Sequence, residues 1–194
     1  MKLLARWLAL VALMAVAEPA SAHSVFGITG FTGGLLHPLV VPTHLLVVVA
    51  LGLLIGQQGW AYGVWIVYAI AVCAGLGTIA LGTVPTLAEE TLLAATAVIG
   101  LLVALAWPVL WMVGAGLAVI AGFALALDSP PEAISLTEAN LTLLGTALSA
   151  VVLPVAVAQI VSWLQRHWQR IGVRILGSWI AASALLVLAL RLLR

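Results

Sequence analysis

Residues 27–56 read GITGFTGGLLHPLVVPTHLLVVVALGLLIG, an almost wholly apolar stretch that carries His37 and His44. The chain has only four histidines, so two of them in one hydrophobic segment call for a reason. Working outward, 65% of the 194 residues are hydrophobic and 7% are charged, with a mean hydropathy of +1.29. Soluble domains carry about 25% charged residues. Apolar runs of roughly 18 or more residues recur along the chain, each long enough for a membrane helix. The short alternating segments of a β-barrel are absent from the sequence. The fold class is therefore all-α, a polytopic membrane bundle. The single cysteine, Cys73, lies in an apolar run and excludes an internal disulfide or a cysteine-based metal cluster.

The first 22 residues have the form of a leader. MKLLAR is basic, WLALVALMAVA is apolar and short for a span, and Ala20-Ser21-Ala22 fits an A-x-A cleavage site. Residues 1–22 are thus expected to be a cleavable signal peptide and 23–194 a six-helix transmembrane domain. Cleavage would leave His23 first, where its amine and imidazole together could chelate a metal. Six spans are predicted at 38–56, 60–82, 90–106, 109–127, 140–164 and 174–192. GQQGW and GTVPTLAEE supply the Gly, Pro and polar breaks of connections. DSPPEAISLTEAN is the longest polar stretch, and QRHWQRIGVR is the basic loop. No soluble domain, repeat or low-complexity tail is evident.

Charge placement predicts the orientation. With residue 23 outside the cytoplasm, Arg166, Arg170 and Arg174 fall inside, as the positive-inside rule requires. Glu89, Glu90, Asp128, Glu132 and Glu138 fall outside, and so, against the rule, do Arg191 and Arg194. The G-x-x-x-G spacings Gly30/Gly34 and Gly52/Gly56 read as close helix packing within one subunit, with a homo-oligomer contact as the alternative.

Seven residues are about two helical turns, so one continuous helix would put His37 and His44 on one face, about 10 Å apart along the axis. Pro38 suits a first helical turn, which places His37 at the mouth and His44 deeper. A polar side chain at depth faces the bundle interior or a wet cavity. Imidazole is a ligand for nickel, cobalt, zinc and copper. Glu89 and Glu90 open the third span; they favour the positive end of its dipole and could also gather cations. His167, beside Trp168, reads as an interfacial residue. There is no H-E-x-x-H zinc helix, Ser178 lacks a G-x-S-x-G setting, and the arginine loop is too small for nucleic acid. An enzyme is not expected.

The stretch GFTGGLLHPLVVPTHLLVVVALGLL resembles the first-helix signature of the HupE/UreJ family of nickel/cobalt permeases and urease or hydrogenase accessory proteins, approximately G-x-x-H-P-x-x-G-x-D-H-x-L. Gly34, His37, Pro38, His44 and Leu46 match in place. VPTLAEETLLAATAVIGLLVAL resembles the family's acidic entry to the third span, and RILGSWIAASALLVL its small-residue last span. The chain departs from the pattern at Val41, where the family has glycine, and at Thr43, where it has aspartate. The second histidine motif, expected near the fourth span, is absent; Asp128 and Glu132 are the metal-capable side chains left there. A further family histidine of the fifth span is replaced around Gln159.

The resemblance implies a multi-pass protein of the bacterial inner membrane, its mature N-terminus outside the cytoplasm and its partners membrane lipid and a divalent metal ion. It would pass or deliver nickel or cobalt and hold no cofactor tightly. The metal set would be His37 and His44, supported by His23, Glu89 and Glu90. The missing acidic and histidine ligands point to an alternative, a non-transporting accessory protein that binds metal or a partner at its outer face.

Overall fold

The computed structural model describes residues 29–60, 63–82, 86–131, 133 and 135–193. The leader expected at 1–22 with its expected cleavage site, His23 and Glu132 lie outside the described residues. Among the described residues seven helices follow one another: α1 Gly30–Val40, α2 Pro42–Gln58, α3 Gly63–Ala80, α4 Ala88–Leu105, α5 Trp111–Leu127, α6 Leu136–Ser162 and α7 His167–Leu192. No strand occurs among the described residues. The all-α membrane reading is borne out at that level. Four helices, α3, α4, α6 and α7, are long and apolar enough to cross a membrane, and a fifth crossing arises if α1 and α2 count as one broken span. At 17 residues, α5 is apolar but shorter. Its length of about 25 Å falls below the roughly 30 Å of hydrocarbon.

Most boundaries sit within a few residues of the hydropathy reading, and local chemistry accounts for the larger shifts. The fifth predicted span starts earlier, at Leu136, because the Ser135 side chain accepts a hydrogen bond from the Glu138 backbone N–H at 3.2 Å. That is the serine half of a capping box. The basic loop is partly helical: α7 begins at His167, and the Gln169 side chain accepts from the Arg166 N–H at 2.9 Å.

The largest correction concerns the opening stretch. It is not one helix beginning at Pro38. It breaks at Val41, and α1 and α2 meet at a bend of 71°. Pro42 has no N–H to give the carbonyl four residues back, and its ring crowds that carbonyl. It also forces the preceding residue out of the helical region, and Val41 is extended at φ −77°, ψ 113°. Pro42 is therefore the first residue of a new helix, where a missing donor costs nothing.

Pro38 and Pro154, by contrast, sit inside helices, and each orphans a carbonyl. Pro38 orphans Gly34, whose oxygen accepts from the Thr146 and Ser149 hydroxyls at 3.3 and 3.4 Å. Pro154 orphans Ala150, whose oxygen accepts from the Tyr68 hydroxyl at 3.0 Å. Buried backbone in a bilayer must be satisfied by protein, and here hydroxyls on neighbouring helices do it. Tyr68→Phe should therefore cost about 1–2 kcal/mol of stability in detergent, measured by thermal unfolding. Equal stability would mean that the Ala150 carbonyl finds another donor.

Glycines set the helix spacing. A Cβ on Gly52 would lie 2.7 Å from the Pro154 carbonyl oxygen, and one on Gly56 would lie 2.6 Å from that of Ala158. Thus α2 and α6 run parallel in close contact. Gly100 and Gly177 bring α4 and α7 together in the opposite sense, with Gly100 near Ala181 and Gly177 near Val103. The Gly52/Gly56 spacing serves packing within the subunit, as expected. Of the Gly30/Gly34 pair only Gly34 is at a contact; Gly30 opens α1 at φ +66° with nothing near its Cβ direction. Along α3 and α5, Gly114 meets Trp60 at one end and Gly75 meets Ala126 at the other, so these two also run parallel. Helices α2, α4 and α6 thus run one way and α3, α5 and α7 return. Helix α2 is buried nearly all round, with Val47, Val48, Leu51, Leu54 and Ile55 each at most 2% exposed.

Candidate metal-binding cluster

The break at Val41 decides the geometry of the histidines. His37 lies in the last turn of α1 and His44 is the third residue of α2. Across a 71° bend they are not two stations 10 Å apart on one helix face. Their rings meet with centroids 5.0 Å apart and an interplanar angle of 63°. The two histidines are neighbours because the chain bends between them, not because they share a helix face.

His44 is 0% exposed. Its Nε2 lies within hydrogen-bond distance of Asp128 Oδ2, at 2.9 Å and 84 residues away in sequence. A carboxylate can only accept, so a hydrogen bond between the two takes its proton from Nε2 and leaves Nδ1 as the lone-pair nitrogen. That Nδ1 is buried and has no hydrogen-bond partner among the described residues, and the same holds for His37 Nε2. A buried polar atom without a partner costs about 1–3 kcal/mol, so two of them on adjoining rings are a cost the fold sustains.

Asp128 caps the C-terminal end of α5, the negative end of a helix dipole, where an anion is disfavoured. Helix stability does not explain its place; His44 gives it a partner. Glu89 lies in the first turn of α4 and forms an ion pair with Arg191 from the last turn of α7. It is also within electrostatic reach of Asp128, Glu90 and His44. One end of the bundle thus gathers the α1–α2 break, the start of α4 and the ends of α5 and α7. The opposite end holds Arg166, Arg170 and Arg174, and there the Arg174 Nε–H donates to the Ala104 carbonyl at 2.9 Å.

Of the sequence candidates, His37 and His44 come into contact, and Glu89 stands close by but is engaged with Arg191. Glu90 stands beside Glu89 in the same turn. His23 lies outside the described residues. No group of three or more His, Cys, Asp or Glu side chains that could hold a metal ion forms among the described residues. Sequence reasoning missed two partners. Asp128 was visible as a metal-capable side chain but not as the partner of His44. Arg191 looked like an exception to the charge rule, whereas its charge is matched by Glu89. A carboxylate ending an otherwise apolar helix was the available signal for the first; nothing local marked the second.

Fold and cluster together define a multi-pass helical membrane protein with a pair of adjoining imidazoles, one of them buried, and a carboxylate at one end. The profile of the HupE / UreJ protein family matches residues 11–187, and the chain belongs to that family. Comparison with curated proteins and with solved structures gave no match.

Proposed function

We propose that this protein binds a divalent transition metal, nickel or cobalt first, at His37 and His44, and passes or delivers it at the bacterial inner membrane. The observation that carries this reading is the pair of touching imidazoles, each with a buried ring nitrogen that has no partner among the described residues. Imidazole nitrogen suits borderline divalent ions, whereas magnesium and calcium prefer oxygen. Two imidazoles leave coordination positions for water and for groups at the mouth. Glu89, Glu90 and the His23 terminus are the proposed capture groups. The ion is cargo, exchanged among ligands, and binding must be weak enough to release it.

Six crossings are proposed, with the broken α1–α2 pair as the first and α5 as a short one; the alternating helix directions support this count. The cluster end is proposed to face outside the cytoplasm, because Arg166, Arg170 and Arg174 lie at the other end. In a Cys73→Ala background, Pro130→Cys should then react with an impermeant thiol reagent on intact spheroplasts, and Gln165→Cys should not. The reverse labelling would overturn the orientation.

One observation favours the alternative, a metal-binding accessory protein that does not transport. Beyond His44, α2 is enclosed by apolar side chains, and Val48, Leu51 and Leu54 are at most 1% exposed. These three side chains offer a dication no ligand, and desolvation opposes an apolar path. Passage would need a second conformation in which this plug parts. Calorimetric titration of purified protein with nickel, cobalt, zinc, manganese and magnesium tests binding; the first two should bind well above magnesium. Failure to bind any of them would end the metal reading. Uptake into proteoliposomes separates passage from delivery.

A further inference from the structure

Resting on the metal reading above, we infer that Asp128 is the positioning residue of the imidazole pair, selecting which nitrogen of His44 is offered as a ligand. The residue beside His44 in sequence is Thr43, whose neutral hydroxyl cannot take this role with a charge. The carboxylate comes instead from the far end of another helix, at the C-cap of α5.

His44 is wholly buried, so water cannot choose its tautomer. The 2.9 Å contact occupies Nε2 with Asp128 Oδ2, and a carboxylate accepts through that contact a hydrogen bond from Nε2–H. Nδ1 is then obliged to be a bare lone pair, and it is the nitrogen that lacks any partner among the described residues. A histidine held by a carboxylate through one nitrogen and free at the other is oriented and made more basic for a metal. Asp128 also adds one negative charge outside the first ring of ligands. Two neutral imidazoles backed by one carboxylate favour a borderline dication over a monovalent ion, and nitrogen donors disfavour hard cations. Asp128 retains 22% side-chain exposure, so its carboxyl also reaches the surface at this end of the bundle.

Nitrogen-15 spectra of histidine-labelled protein in detergent, without metal, read the tautomer directly. His44, assigned by its loss in His44→Ala, should be in the Nε2–H form in the wild type. Asp128→Ala should convert it to a mixture of tautomers and weaken nickel or cobalt binding by roughly 10- to 100-fold. Asp128→Glu, which can restore the acceptor, should recover most of both. A wild-type His44 protonated on Nδ1 would overturn the inference whatever the variants do. So would an Asp128→Ala protein with unchanged tautomer and unchanged affinity, and in that case the metal reading would stand. A wild type that binds no metal, yet changes tautomer in Asp128→Ala, would instead retain the positioning role and remove the metal reading.

Discussion

His44→Ala should abolish binding of nickel or cobalt, with the dissociation constant rising at least about 100-fold, while the bundle stays folded. The two halves of this expectation have separate causes. The affinity falls because the deepest lone-pair nitrogen disappears, and Asp128 cannot replace it from its own position, where it contacts the imidazole being removed. The fold persists because His44 contributes little to stability. One of its ring nitrogens is buried with no partner among the described residues, and the partner of the other, Asp128, is exposed enough to take up water. The change in unfolding free energy should stay within about 2 kcal/mol, the range of ordinary substitutions. His37→Ala should weaken binding more mildly, by about 10-fold, since it lies nearer the mouth, where water or a carboxylate can fill the vacancy. Calorimetric titration of the three proteins in one detergent makes the comparison. Affinity unchanged in both variants would return the pair to helix packing.

Gly34→Ala should cost about 3 kcal/mol or more, and Gly34→Leu should leave no folded protein. A Cβ on Gly34 would overlap the Thr142 carbonyl oxygen, and one on Gly145 would overlap the Phe31 carbonyl oxygen. The obstacle in both cases is backbone rather than a flexible side chain, so α1 and α6 would have to separate along their length. Separation would also pull the Gly34 carbonyl from the Thr146 and Ser149 hydroxyls and leave it orphaned by Pro38. Because α1 carries His37, the displacement should also part His37 from His44 and weaken metal binding. Gly77→Ala is the control. Its Cβ would meet nothing within 4 Å, and an alanine there should be neutral or stabilise α3 by about 0.5–1 kcal/mol. Thermal unfolding of both variants gives the answer; a Gly34→Ala protein as stable as the control would mean that α1 does not lie against α6 in this way.

Composition and hydropathy by themselves determined the class of this protein. A chain that is 65% hydrophobic and 7% charged cannot satisfy its backbone in a bilayer except by helices or a barrel, and the long unbroken apolar runs left only helices. Most helix ends were legible for the same reason, since Gly, Pro and polar residues interrupt the runs. The family was legible too, because Gly34, His37, Pro38 and His44 are local and keep their spacing. His37 and His44 could thus be singled out, but not their arrangement. Two prolines four residues apart allow either a start at the first or a break at the second. The choice fell to packing: α1 ends against α6, where Thr146 and Ser149 satisfy the carbonyl that Pro38 orphans. Asp128 and Arg191 were legible as charges but not as partners. His44 and Asp128 are 84 residues apart, and only the return of α5 to the end where α2 begins brings them within 2.9 Å. Spacing along a chain reports neighbours on one helix; contacts between helices depend on glycine positions and crossing directions summed over the whole bundle, which only the tertiary structure decided.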